Sequence, residues 1–109
     1  MANVYRNAKT DFTNTDNTTV YTVPSNSRAI LKNILVSDDS GSGDSINVTL
    51  TDASAAVFSL FKTKTIGSNA TTELITQPII LQESEILKAQ ATTAGRLHMV
   101  VSLLEINRD

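Results

Sequence analysis

The chain has 109 residues, of which 40% are apolar, 18% charged and 5% aromatic, with no cysteine and no tryptophan. This length predicts one domain, and the lack of cysteine excludes a disulfide framework and a thiolate metal site. The net charge of −2 offers no basic surface for nucleic acid and no polybasic membrane anchor. Because no segment has the length and apolarity of a membrane span or a signal peptide, we expect a soluble protein that is not exported.

Short neutral polar residues dominate the rest of the composition: Thr, Ser and Asn together account for 35 residues. Threonine, like valine and isoleucine, is β-branched and fits a pleated sheet, while serine and asparagine favour turns. The composition therefore predicts an all-β protein.

The first segment, residues 1–17, is rich in Asn and Asp and has two interpretations. It forms either the first edge strand, over 4–12, or an arm that becomes ordered only on a neighbouring molecule. We place the β-sandwich domain at 18–109.

Three later segments show the clearest strand patterns. In 45–52 the apolar residues Ile46, Val48 and Leu50 alternate with polar ones, which is typical of a half-buried strand. The longer segment 28–36 is predicted to carry Ile30, Ile34 and Val36 on one face and Ala29, Leu31 and Leu35 on the other. The segment 97–106 is predicted to carry Leu97, Met99, Val101 and Leu103 on one face and Val100, Leu104 and Ile106 on the other, so we expect it to be covered on both sides.

Clusters of Pro, Gly, Asn and Ser separate the predicted strands at intervals of about ten residues. The predicted strands are 4–12, 18–23, 28–36, 45–52, 56–64, 71–76, 79–81, 86–91 and 97–106. This spacing predicts a single antiparallel β-sandwich or jelly-roll domain of seven to nine strands.

Four groups of residues were tested for chemistry, and none favours an enzyme or a cofactor. His98 is the sole histidine and has no cysteine with which to share a metal. Glu83 and Glu85 form a polar break, which favours a solvated turn over an acid–base pair. The sequence Gly41-Ser42-Gly43 lacks the helix that a phosphate-binding loop requires.

The acidic loop at Asp38, Asp39 and Asp44 was compared with a calcium-binding loop. With Asp38 at its first position, Thr49 occupies the twelfth, where a bidentate Glu is needed. The pattern favours a solvated loop, and we expect no metal.

An excess of apolar residues remains, including Val57, Phe58, Leu60 and Phe61. It fits either strands covered on both faces or a surface between subunits. On the second interpretation, the candidate interface residues are Val4, Tyr5, Phe12, Asp38, Asp39, Asp44, Val100, Leu104 and Ile106.

Three stretches carry a resemblance to a known group: 18–36, with Val20-Tyr21-Thr22-Val23-Pro24 leading into a long strand, 46–52, and the closing 97–106, which ends in Leu104-Glu105-Ile106. From Thr18 onward, the chain resembles small β-sandwich virion proteins of tailed bacteriophages, especially marine and cyanobacterial phages. The resemblance implies a virion component in many copies, assembled in the host cytoplasm.

The expected function is thus a non-enzymatic, homo-oligomeric capsid decoration or cement protein that binds the major capsid protein. The alternative is a neck, collar or tail accessory protein that binds neck or tail proteins. A carbohydrate-binding module is disfavoured because sugar sites use aromatic platforms, and the only tyrosines are Tyr5 and Tyr21.

Overall fold

The computed structural model describes residues 2–75 and 77–107, which form nine β-strands. The strands are β1 Ala2–Asp11, β2 Thr18–Thr22, β3 Ser27–Asp38, β4 Asp44–Thr51, β5 Val57–Ile66, β6 Thr71–Glu73, β7 Ile79–Leu81, β8 Ile86–Ala91 and β9 Leu97–Asn107. The predicted all-β fold is confirmed. The predicted strand end at Thr76 and the domain limits Met1 and Asp109 lie outside the described residues.

The strands form two antiparallel sheets that pack as a sandwich. Sheet A has the order β1-β9-β3-β6, and β7 also pairs with β3, while sheet B has the order β2-β8-β4-β5. In sheet A, β6 pairs with β3 at Leu35–Ser37 and β7 pairs with it at Ala29–Leu31. The two short strands therefore share one edge of the sheet, and β1 forms the other.

The N-terminal segment is part of this sandwich. Residues from Ala2 to Asp11 pair without interruption with β9, from Asn107 back to His98. Phe12, directly after β1, is 1% exposed and lies in the core. Ala2–Asp11 is therefore an edge strand of sheet A, and Phe12 places its end in the core.

The core between the sheets is almost entirely aliphatic. On β9 the alternating residues Leu97, Met99, Val101 and Leu103 are buried, as the sequence predicts. They pack with buried residues of the other strands, among them Leu31, Ile34, Val36, Ile46, Val48, Leu81 and Leu87.

The predicted faces of β3 are wrong in its first half. Ala29 and Leu31 are fully buried together with Ile34 and Val36, whereas Ile30 lies on the outer surface. The cause is a bulge between Leu31 and Asn33 in the pairing with β9, because one extra residue reverses which face the following side chains occupy.

The outer edge of sheet B is irregular. The pairing of β5 with β4 shifts twice, around Asn47 and again between Val48 and Thr49. At the first shift Thr63 adopts a left-handed φ of 54°, which is strained for a β-branched residue. The side-chain oxygen of Asn47 accepts the backbone N–H of Thr63 at 2.6 Å and holds the bulge in place.

Among residues 2–75 and 77–107, no helix has the length and apolar character needed to cross a membrane.

The aliphatic core predicts a large effect for one truncation. Leu103→Ala should lower the free energy of unfolding by about 2–4 kcal/mol, because it removes buried methyl groups and leaves a cavity. Urea denaturation measures the change.

The matched control is Val57→Ala, since Val57 is 63% exposed; a change within about 0.5 kcal/mol is expected there. Equal effects of the two substitutions would contradict the core described above.

Candidate assembly interface

The outer surface of sheet A carries an apolar row that crosses four of its five strands. Tyr5 on β1 lies opposite Leu104 on β9, Leu104 lies opposite Ile30 on β3, and Ile30 lies opposite Ile80 on β7. Residues directly opposite on antiparallel strands share a face and touch. Tyr5 is 78% exposed and Ile80 is 60% exposed, so the row is open to solvent at both ends.

A second row lies parallel to the first on the same surface. It contains Lys9 on β1, Val100 on β9, Leu35 on β3 and Glu73 on β6. Val100 and Leu35 are exposed apolar residues, so this row is apolar in the middle and oppositely charged at its two ends.

The two apolar rows are separated by a polar one, Asn7, Ser102 and Asn33. The side-chain amide of Asn33 donates a hydrogen bond to the carboxylate of Glu73. We refer to these three rows together as the sheet A face.

The outer surface of sheet B is different in character. Its central strands pair Asn47 with Gln90 and Thr49 with Lys88, and none of these four side chains is apolar. The sandwich therefore has one polar outer surface and one with an apolar surplus, which marks the sheet A face as the candidate interaction surface.

The predicted interface residues lie in three places. Tyr5, Val100 and Leu104 are on the sheet A face, and Ile106 lies on the same side of β9 but outside the three rows. Val4 lies opposite buried Glu105, and Phe12 is in the core. Asp38 ends β3, Asp39 lies in the loop that follows, and Asp44 begins β4.

Ile30, Leu35 and Ile80 complete the sheet A face but were not among the predicted interface residues. The alternation of β3 assigned Ile30 to the inner face, and the bulge after Leu31 moves it outward. Ile80 belongs to a three-residue strand, Ile79–Leu81, whose pairing partner depends on the fold of the whole chain.

Asp38 has an internal role that removes it from the surface. Its carboxylate accepts the backbone N–H groups of Ser40 at 2.9 Å, Gly43 at 2.7 Å and Asn69 at 3.2 Å, and the hydroxyl of Ser40. The Ser40 hydroxyl bond, followed by the backbone bonds, holds the pKa of Asp38 well below its usual range, although burial opposes the shift. Asp38 therefore ties the end of β3 to the β5–β6 loop.

Gly43 is needed at this loop. Its φ is +71°, and a Cβ there would lie 3.1 Å from the carbonyl oxygen of Ile66. Glycine adopts this conformation without steric cost, so the backbone N–H can reach Asp38.

The other acidic residues of the loop point to different partners. Asp44 accepts the backbone N–H of Thr93 at 2.8 Å. Asp39 lies 3.7 Å from Nδ1 of His98, and Asp11 lies 3.2 Å from Nε2 of the same ring. In the part of the chain that the structure describes, no group of three or more His, Cys, Asp or Glu residues is arranged to hold a metal ion.

Glu105 links the two sheets at the other end of the sandwich. Its buried carboxylate accepts a hydrogen bond from the Tyr21 hydroxyl of sheet B at 2.5 Å and one from Nε of Arg6 at 3.2 Å. Burial raises the pKa of Tyr21 above its usual value, and the bond to Glu105 and its negative charge raise it further. Arg6 opposes the shift.

Two other residues that the sequence analysis considered, Glu85 and Gly43, lie in a turn and in a groove. Glu85 accepts the backbone N–H of Gln82 at 2.7 Å within the turn before β8. Gly43 lies in a shallow open groove whose other lining residues are Ser42, Asp44, Ser45, Thr63, Thr65, Ile66, Gly67, Ser68 and Arg96. None of these is aromatic, so the groove lacks a platform for sugar stacking.

No protein-family model matches the chain, and no curated protein matches it in sequence. Several solved structures have a similar fold, among them these two. One is a chain from the disulfide-linked pili formed by Bacillus endospore appendages, with a TM-score of 0.58, 9% identity, and coverage of 98% of this chain and 89% of that chain. The other is from the acidic-stable capsid of Helicobacter pylori bacteriophage KHP30, with a TM-score of 0.58, 12% identity, and coverage of 99% and 95%.

At these identities the comparisons show a shared fold. Neither structure comes from a marine or cyanobacterial phage, so that part of the resemblance has no support.

The Asp38 loop predicts a specific dependence of stability on pH. Because folding lowers the pKa of Asp38, its contribution is present above the unfolded aspartate value of about 3.9 and is lost as the pH falls below it. Asp38→Asn should therefore destabilise the protein at pH 7 and less so near pH 3, measured by urea denaturation.

Asp39→Asn is the matched control, since the neighbouring Asp39 side chain is 71% exposed. If it reproduced the pH-dependent loss, the role assigned to Asp38 would be refuted.

The Tyr21–Glu105 contact predicts a late tyrosine titration. Tyr21 should ionise above the usual value of about 10, seen as tyrosinate absorbance, and Tyr21→Phe should remove that phase. Because folding raises this pKa, the associated stability is present below about pH 10 and is lost as the pH rises further.

Glu105→Gln should move the Tyr21 phase to lower pH, because the negative charge is removed, and Tyr5→Phe should leave the phase in place. A late phase that survives Tyr21→Phe would disprove the assignment.

Proposed function

We propose that this protein is a non-enzymatic structural component of a bacteriophage virion, and that it decorates the capsid as a cement protein. The observation that carries the proposal is the fold shared, over 99% of this chain and 95% of the other, with a chain of a phage capsid. The second similar fold, from a pilus, also belongs to a protein of an assembled structure.

The sheet A face supports this role. Among the residues that the structure describes, six large apolar side chains are exposed, and the two apolar rows hold four of them: Tyr5, Leu35, Ile80 and Val100. An apolar surface of this kind is costly in water and is stabilised by contact with another protein surface. In the proposed role, copies associate with one another and with the major capsid protein and bridge neighbouring capsid subunits.

The composition also suits assembly in the host cytoplasm. The chain has no cysteine and requires no oxidation to fold. For the same reason it cannot form the disulfide links of the similar pili, so its contacts must be non-covalent.

The contacts of the reactive side chains support a non-catalytic role. Both ring nitrogens of His98 lie near carboxylates, and Glu85 accepts a backbone hydrogen bond within a turn.

A neck, collar or tail accessory protein of the same virion is the alternative. It would use the same apolar face, but its symmetry would differ. Copy number separates the two placements, because a shell offers many more equivalent sites than a neck or tail.

The test is quantitative mass spectrometry of purified particles, with the major capsid protein as internal standard. A decoration protein should be present in tens to hundreds of copies per particle. About a dozen copies would assign it to the neck or tail, and its absence from particles would refute both placements.

A second measurement tests the cement role directly. Particles that lack the protein should lose their DNA at a lower temperature, and purified protein should restore the original temperature. Unchanged heat release of DNA would argue against cementing.

A further inference from the structure

We infer that two copies of this chain pack sheet A face against sheet A face, about a two-fold axis that runs close to the strand direction. The inference rests on the proposed function, in that it names the contact by which copies associate. The order of residues along the rows supports this contact.

The first apolar row is complementary to itself under this axis. A two-fold axis parallel to the strands, between β9 and β3, places each β1 over the β6–β7 edge of the second copy. Tyr5 then faces Ile80 of the second copy, and Leu104 faces Ile30 of the second copy. The row Tyr5-Leu104-Ile30-Ile80 is thus covered along its whole length by the same row of the second copy, which runs in the opposite direction.

The second row, which contains Lys9, Val100, Leu35 and Glu73, is complementary in the same arrangement. Lys9 at one end faces Glu73 of the second copy at the other end, and symmetry repeats the pair on the opposite flank. Val100 faces Leu35 of the second copy between them. Apolar contacts therefore lie at the centre and two pairs of opposite charges at the rim, as in stable interfaces.

In the polar row between them, the hydroxyl of Ser102 faces the amide of Asn33 of the second copy. One N–H of that amide bonds to Glu73, and the other can donate a hydrogen bond to the Ser102 hydroxyl. No row places like charges opposite each other.

A two-fold axis perpendicular to the strands fits less well. Centred on the polar row, it places Lys9 over Tyr5 and Glu73 over Ile80 of the second copy. Each carboxylate would then be covered by an aliphatic side chain without a cation beside it, which costs free energy. The strand-parallel axis is favoured because it pairs both charges.

The size of the whole outer surface of sheet A suits a dimer. With β1, β9 and β3 ten to twelve residues long and four strand positions about 4.8 Å apart, this surface spans roughly 600 Å² in plan, and the three rows of the sheet A face form its central part. Side-chain relief brings the accessible area of the whole surface closer to the roughly 800 Å² per partner of a standard interface. Sheets that pack face to face lie about 10 Å apart with strands near −30°, so the axis lies within about 15° of the strands.

The other exposed apolar residues offer a poorer surface for a second copy. Val57 and Phe58 begin β5, the strand whose pairing shifts twice. Bulged edges resist strand-to-strand association. Val57 therefore provides a matched control.

The first experiment is sedimentation velocity of the full chain over a range of concentrations. The wild type should show a monomer–dimer equilibrium, and Ile80→Glu should raise the dissociation constant by at least about tenfold. Val57→Glu, at a residue with nearly equal exposure, should change it by less than about threefold. A wild type that stays monomeric, or a dimer that dissociates with Val57→Glu but not with Ile80→Glu, would overturn the inference.

The second experiment tests the axis, using a chain that has no native cysteine. A Lys9→Cys variant mixed with a Glu73→Cys variant should form a heterodimer with a short bismaleimide, while neither variant alone should cross-link. Cross-linking of Lys9→Cys with Tyr5→Cys in place of Glu73→Cys would reject the strand-parallel axis.

The particle copy number separates this inference from the proposed function. A chain that is monomeric but abundant in particles would refute the dimer and leave the virion role in place, with another protein covering the sheet A face. A chain that dimerises as described but is absent from particles would refute the virion role alone.

Discussion

The whole structure depends on one thin aliphatic core shared by two sheets. There is no disulfide, and only Phe12 among the aromatic residues is fully buried, so stability comes from the close packing of side chains such as Leu31, Ile34 and Leu103. Each strand must keep its alternation for its inner residues to reach that core. Hydrogen bonds add to this core at both ends of the sandwich. Asp38 binds the loops at one end, and Glu105 joins the two sheets through Tyr21 at the other.

The sequence was sufficient to predict the nine strands, since period-two alternation and turn residues give their positions almost directly. It was also sufficient for the buried face of β9, because no bulge interrupts its pairing with β1. It failed on β3, where Lys32 and Asn33 form a bulge that alternation alone does not reveal. Only part of the sheet A face could therefore be predicted from the sequence. Its β9 residues follow from alternation, but Ile30 and Ile80 are brought to it by long-range pairing.

Asp38 and Phe12 were predicted at an interface because a polar loop and an N-terminal arm can both contact neighbouring molecules. Their burial depends on contacts that are distant in sequence. Asp38 accepts a backbone hydrogen bond from Asn69, and the backbone of Phe12 donates one to Leu97. Such contacts form only when segments distant in the sequence come together, so local sequence patterns do not reveal them.

The position of β9 has a consequence for the order of events in folding. It is the last of the described strands, yet it lies between β1 and β3, so Ala2 pairs with Asn107 across nearly the whole chain. During synthesis from the N-terminus, β1 and β3 emerge before β9. Their backbone groups that pair with β9 stay unpaired until β9 is made, and such non-local pairing is slow. Chains cut short before β9 cannot complete sheet A, and truncated products are thereby kept out of any assembly built on its outer face.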